Sequence, residues 1–296
     1  MPKVETHRLI VNADDFGASE EVNEAIIRAH REGVLTSTSL MVTGEAFDQA
    51  VALARENPRL AIGIHLVTVM GSSVLSHDQI PTLVDHQGRF SNDPVSAGLK
   101  YFFSMRARHE LRLEINAQFE KFKATGLPLS HIDGHLHLHV HPVIFKAALE
   151  LGVGYGCRRM RVPVEERALA LQFDSSHLAL KTVHALLFSA LGAYMKSKLK
   201  PYGYIVPERV YGNLQSGKMN EDYFLYALKH LQSATSEIYF HPAVFRNETG
   251  DSGEGQLDDQ QRQLQVEFEA LTSPRVAETI RTLGIKLTNY FELERA

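Results

Sequence analysis

The sequence predicts an irregular (β/α) barrel of about seven parallel strands, built as a single domain over residues 1–296. Short apolar runs alternate with longer segments of helical periodicity, the pattern of parallel strands joined by right-handed crossovers. Seven candidate strands within one domain favour a barrel over an open doubly wound sheet. No G-x-G-x-x-G follows the first run, which argues against a dinucleotide-binding sheet. A chain of 296 residues, 44% of them hydrophobic, can bury the core that such a fold needs.

RLIVNAD (8–14) reads as the first strand. Ser19 can cap the following helix, with Glu20 and Glu21 in its first turn and an apolar stripe of Val22, Ala25, Ile26 and Ala29 ending at Gly33. TSTSLMV (36–42) is the second strand. The stripe Phe47, Ala50, Val51 and Ala54 marks the second helix, which ends near Asn57-Pro58. LAIGIHL (60–66) is the third strand. Residues 67–104, rich in Gly, Ser and Pro, read as a long loop, which in a compact domain is often functional. A helix over about 106–124 follows, with Leu113, Phe119 and Phe122 expected inward. LSHIDGH (129–135) is the fourth strand, and Pro142 opens a helix that Gly152 closes. RRMRVP (158–163), SEIYFHP (236–242) and IKLTNY (285–290) complete the strands, and GDSGEGQ (250–256) reads as a mobile loop.

Composition excludes several classes. The net charge is −4 and no dense Lys/Arg run occurs, so nucleic acid is not expected as a partner. Cys157 is the single cysteine, so neither an internal disulfide nor a Cys-rich metal site can form. The N-terminal residues contain no continuous apolar run of the signal-peptide kind, so a cytoplasmic location is expected. TVHALLFSALGAYM (182–195) reads as too short for a membrane span, which takes roughly 20 apolar residues. The wider segment 182–199 fits a buried helix. Followed by lysines, it also fits a surface helix in peripheral contact with a membrane or with a lipid tail. The oligomeric state is open, a homodimer included.

HIDGHLHLHVHP (131–142) places five histidines and an aspartate at alternate positions. In one straight strand they would share a face, but at about 3.3 Å per residue His131 and His141 would lie about 33 Å apart. Donor atoms sit about 2 Å from a zinc ion, so a single strand cannot bring all six to one metal. The expected layout is a strand to Asp133, His135 at its carboxyl end, and the other histidines along a loop and the start of the next helix.

The stronger signal is the set of strand ends. The first strand finishes in Asp14-Asp15, the third in His65, the fourth in His135 and the sixth in His241, while the fifth carries Arg161. In (β/α) barrels these ends form the active-site face. Asp15, His65 and His135 supply one carboxylate and two imidazoles, a donor set for a divalent metal with open positions left over. Asp14 can accept a proton from water, Arg161 can orient Asp14, and His241 can protonate a leaving group. His131 and Asp133 are expected to support the site from behind, because metal-held imidazoles usually hydrogen-bond outward. His137, His139 and His141 are expected on a polar loop or rim, where His141 can also cap the next helix.

LIVNADDFG (9–17), GVLTSTSLMV (33–42), LAIGIHL (60–66), HIDGHLHLHVHP (131–142) and FHPA (240–243) together resemble the YdjC-like carbohydrate deacetylase family. QIPTLVDHQGRF (79–90) and AQFEKFKATGLPLSHI (117–132) resemble its hopanoid biosynthesis-associated branch. The resemblance implies an irregular (β/α) barrel that removes the acetyl group of an N-acetylated amino sugar. In that branch the sugar is carried on an N-acetylglucosaminyl hopanoid; in the wider family N-acetylated chitooligosaccharides are the alternative. It implies metal ligation by Asp15, His65 and His135, with Asp14 as the base. Magnesium is the ion associated with the family; the imidazole-rich set equally suits zinc or another transition metal. Two rivals remain: a barrel amidohydrolase or phosphoesterase, whose H-x-H commonly ends the first strand, and a metal- or sugar-binding module, which would not need Asp14.

Overall fold

The structure, a computed structural model, describes residues 7–215, 217–245 and 257–293. GDSGEGQ (250–256) lies outside them. The chain folds as a mixed α/β domain around a curled parallel sheet that forms a half-barrel. β1 (Arg8–Phe16) leads into α1 (Glu20–Glu32), which Ser19 caps by accepting from the Val22 N–H. β2 (Ser37–Leu40), α2 (Phe47–Glu56) and β3 (Ala61–Leu66) follow as expected. The sheet order is β4-β3-β2-β1-β6-β5, and β7 adds to the amino-terminal half of β1. β1 is thus central, with β2 and β6 on either side, which accounts for its continuous apolar run.

The stretch 67–104 departs from the expected loop. Pro94 and the Asp93 cap start a helix, α3 (Pro94–Phe103), and α4 (Met105–Ala124) follows with Ser104 as its cap. The residues before α3 are irregular but held. Glu114 accepts from the Val74 and Leu75 N–H groups, Glu110 from that of Thr82, and Gln118 from that of Val67. Glu110, Glu114 and Gln118 are therefore buried on the inner face of α4 with Leu111, Ile115, Phe119 and Phe122. Leu113, expected inward, is 43% exposed; the inward stripe runs instead through Leu111, Glu114 and Ile115.

β4 (Ile132–Gly134) is shorter than the sequence suggests, and a 3₁₀ segment (His135–Val140) separates it from α5 (Pro142–Gly154), for which His141 is the cap. RRMRVP (158–163) is not a regular strand. Its backbone bonds Ile132 on one side through Arg159 and Arg161, and Ile205 on the other through Arg158 and Met160; Val164 then accepts from Val210. Pro163 lacks an N–H and cannot extend a ladder, so this segment spans the gap between β4 and β5 with isolated bridges. The strand next to it, β5 (Arg209–Tyr211), carries no apolar run that the sequence pattern marks.

α6 (Arg167–Phe173) and α7 (Leu178–Leu199) precede β5. α8 (Glu221–Lys229), β6 (Thr235–Phe240), α9 (Asp259–Thr272), α10 (Pro274–Thr282) and β7 (Lys286–Thr288) complete the fold. α7 corrects two expectations. With the turn that follows, Leu178–Tyr202 is long and apolar enough to cross a membrane by length and composition. Nor is it a buried helix: Ala185, Gly192, Met195 and Leu199 form a narrow buried stripe, and most of the rest faces outward.

Candidate active site

Asp14 and Asp15 are neighbours in β1, and in a regular strand their side chains would point to opposite faces. The pairing of β1 with β2 slips in register between Ala13 and Phe16, and Asp15 takes φ +67°, a left-handed conformation uncommon outside glycine. This bulge brings both carboxylates to the carboxyl end of the sheet. Asp15 Oδ1 lies 3.3 Å from His65 Nε2 and 3.1 Å from His135 Nδ1. The donor atoms of Asp15, His65 and His135 all fall within 4.8 Å of one another, close enough to share one cation. His65 comes from the end of β3, and His135 stands where Gly134 releases the chain from β4.

One member of this cluster, His65, is held from behind. His65 Nδ1 donates to Asp133 Oδ1 at 2.8 Å, which fixes the ring and directs Nε2 toward Asp15. Asp133 Oδ2 accepts from Ser39 Oγ at 2.6 Å and forms an ion pair with Arg161 Nη1 at 3.0 Å. His131 lies deeper, hydrogen-bonded to Ser130 and Ser39, with its ring stacked on Tyr290 at 3.8 Å. Gly63 leaves the room for that ring: a Cβ there would stand 2.4 Å from His131 Cε1.

Arg161 is fully buried and gathers three carboxylates. Its guanidinium grips Asp14 through two bonds of 2.7 and 2.8 Å, bonds Glu237 through Nε and Nη2, and lies 4.8 Å from the Tyr239 ring centre. Asp14 Oδ1 also accepts from Asn12 Nδ2, whereas among the described residues Oδ2 accepts from Arg161 alone, which leaves it a lone pair. On that side stands His241, its Nε2 4.0 Å from Asp14 Oδ2. The His241 backbone N–H donates to Glu267, whose carboxyl burial pushes up to about 7.

The charge balance favours a cation. Among the described residues, four carboxylates, those of Asp14, Asp15, Asp133 and Glu237, share this region with one guanidinium. Burial acts against charge on both Asp15 and His65, yet their partners prevail. Hydrogen bonds and charge from His135 and His65 hold Asp15 well below the usual carboxylate range. The Asp133 carboxylate, with Asp15 and Asp14, drives His65 up to about 10. An environment that pulls a proton onto a buried imidazole this strongly is one a divalent ion can satisfy instead, and the donor set fits such an ion.

Two expected rim histidines are not on the rim. His137 and His139 are buried, because Leu136 and His137 both take positive φ and fold the segment back over the sheet. His137 Nε2 meets the Tyr239 hydroxyl at 2.9 Å, and His139 Nε2 donates to the Arg161 carbonyl. Burial keeps both neutral, His139 with a pKa lowered to about 4.

The sequence matches the family described as YdjC-like protein over residues 8–282. The chain belongs to that family. Among YdjC-like relatives, a carbohydrate deacetylase of Clostridium beijerinckii is 30% identical over 97% of this chain and 100% of its own length. A chitooligosaccharide deacetylase of Proteus mirabilis is 28% identical over 97% of this chain and 99% of its own. A carbohydrate deacetylase of Brevibacillus brevis reaches 48% identity, over 53% of this chain and 58% of that protein. The crystal structure of a protein from Enterococcus faecalis V583, described as a cellobiose-phosphate cleavage protein, superposes with a TM-score of 0.73 at 26% identity. That match covers 98% of this chain and 100% of the other.

Several polar residues of this YdjC-like site escape a search for ligand-like strand ends: Asn12, Ser39, Glu237, Tyr239 and Glu267. Glu237 does leave a signal, an acid in the middle of the apolar run SEIYF, which only a buried partner can justify. Ser37, Thr38 and Ser39 leave another, three successive hydroxyls in a fully buried strand. Glu267 leaves none, since it reads as one more polar residue of α9.

Proposed function

We propose that this chain is a metal-dependent carbohydrate N-deacetylase, which hydrolyses the acetamide of an amino sugar to acetate and the free amine. The observation that carries the reading is the cluster of Asp15, His65 and His135 beside an Arg161-clamped Asp14. A divalent cation held by the three donors would supply a Lewis acid for the acetyl carbonyl and lower the pKa of a water molecule. Magnesium, by family, and zinc, by the imidazole content of the donors, are the ions to test.

The chain's own groups perform the proton transfers. Asp14 Oδ2 has the lone pair to take the proton of the attacking water, and Arg161 holds and aims that carboxylate through two hydrogen bonds. Water oxygen bonds to the acetyl carbon, the C–N bond breaks, and His241 Nε2 delivers a proton to the departing nitrogen. His131 and Asp133 hold His65 in place and touch no reacting atom. The names of the Clostridium and Proteus relatives support an N-acetylated sugar as substrate.

For the finer substrate, we favour an N-acetylglucosaminyl hopanoid, on the resemblance of residues 79–90 and 117–132 to the hopanoid-associated branch. N-acetylated chitooligosaccharides are the rival. Metal-loaded protein incubated with each and followed by mass spectrometry should lose one acetyl from the hopanoid glycolipid faster than from the oligosaccharide. Preference for the oligosaccharide would reassign the substrate. Binding of both without acetate release would leave only a sugar-binding module, and phosphate release from phosphorylated sugars would place the chain with the phosphoesterases.

A further inference from the structure

Large apolar side chains are exposed unevenly. Among the described residues, Val95, Leu99, Phe102, Phe103 and Met105 cluster on α3 and the start of α4, and Leu178, Leu180, Val183, Leu186, Leu187 and Tyr194 on α7. Phe103 is 76% exposed, Met105 74% and Leu180 70%. Both groups lie beside residues 135–141, which lead from the carboxyl end of β4 into α5. Both also touch the segment that holds His135: the Phe102 ring lies 6.2 Å from His141, and Phe188 of α7 lies 6.2 Å from His137. Between them Leu136 is half exposed. The apolar surface therefore flanks, on two sides, the segment that follows His135.

Charge selects what covers it. Across residues 93–110 and 174–208, seven Lys/Arg stand against four acids, Asp93, Glu110, Asp174 and Glu208; Glu110 pairs with Arg106 and Asp174 with Lys181, and a surplus of three positive charges remains. The whole chain is net negative, at −4, so this face is opposite in sign to the rest. A second copy docked face to face would set these cations against each other, whereas an apolar surface with anionic groups would complement both features. We propose that α3 and α7 form a two-sided apolar and cationic collar that seats this face on an anionic lipid bilayer. The surface goes beyond the deacetylase reading and is tested without turnover.

Flotation with phosphatidylcholine vesicles, with and without phosphatidylglycerol, reads it directly. The protein should float with the anionic vesicles and do so less in high salt. Leu180→Glu/Val183→Glu/Leu187→Glu and Phe103→Glu/Met105→Glu should each weaken binding by about tenfold or more, since each side supplies buried apolar area. These positions are exposed, so the variants should keep the wild-type melting temperature, and they should still deacetylate a soluble oligosaccharide if the deacetylase reading holds. No vesicle binding by the wild type overturns the proposal. Undiminished binding of the Phe103/Met105 variant overturns the two-sided collar. A wild-type dimer in light scattering that the α7 variant dissociates, without vesicle binding, assigns the face to a second copy instead.

Discussion

Asp14 and Asp15 divide one dipeptide between two environments. Asp15 is partly open and meets two imidazoles, whereas Asp14 is buried in the grip of Arg161 and Asn12. The division depends on the left-handed turn at Asp15, a conformation that costs on the order of 1–3 kcal/mol in a non-glycine residue and persists only where its surroundings enforce it. The proposed roles separate the two by experiment. Asp15→Ala removes the only anionic donor of the cluster, so calorimetry should show metal affinity lowered by well over about 100-fold, and turnover lost with it. Asp14→Asn keeps the shape and one acceptor oxygen. Its metal affinity should stay within about threefold while kcat for acetate release falls by about 100-fold or more, the usual contribution of a general base. A fully active Asp14→Asn enzyme would remove Asp14 from that role.

The elements show how far a bend or a close approach hides from periodicity. β1, β2 and β3 run through the core as continuous buried strands, so their bounds and the ligand-like residues at their ends are legible in the sequence. β5 has three residues, and the 158–164 segment pairs by isolated bridges; neither holds enough alternation to be read. α3 is hidden because its Gly, Ser and Pro composition mimics a loop, although Asp93-Pro94 is a helix start. His137 and His139 are misread because two successive positive-φ residues cannot be inferred from histidines spaced by two. The β3–β4 contact offers a test at this scale. Gly63 faces the His131 ring, which Tyr290, Ser130 and Ser39 hold in place. Gly63→Ala should therefore cost about 1–3 kcal/mol in urea denaturation, the range for overpacking. Combining it with His131→Ala, which empties the space, should cost clearly less than the sum of the two single changes. Additive losses would mean that the ring moves aside freely.

At the scale of the whole molecule, buried ionisable groups set the response to pH. Glu165 follows the bridging segment and is buried, accepting from the Leu214 N–H at 2.7 Å and from the Tyr223 hydroxyl at 3.0 Å. Burial outweighs these bonds and raises its carboxyl to about 7, from an ordinary 4.5. Between those values the folded protein keeps a proton that the unfolded chain has released. The contribution of Glu165 is therefore complete below about pH 4.5 and is lost as pH rises toward 7. His139 runs the other way: its pKa, lowered to about 4, makes stability fall as pH drops below the ordinary 6.5. Asp133, held well below the usual range chiefly by Arg161 and His65 despite its burial, adds to the loss in acid. The slopes of these groups overlap in any single melting profile, so a difference measurement isolates Glu165. Glu165→Gln mimics the protonated carboxyl and does not titrate. Relative to wild type, the variant should gain about 2–3 kcal/mol between pH 5 and pH 8, since a tenfold difference in proton affinity between folded and unfolded chains is worth about 1.4 kcal/mol. Denaturant midpoints of both proteins across that range would show it. A pH-independent difference would mean that Glu165 is already ionised in the folded protein at pH 5, with the Leu214 and Tyr223 bonds outweighing its burial.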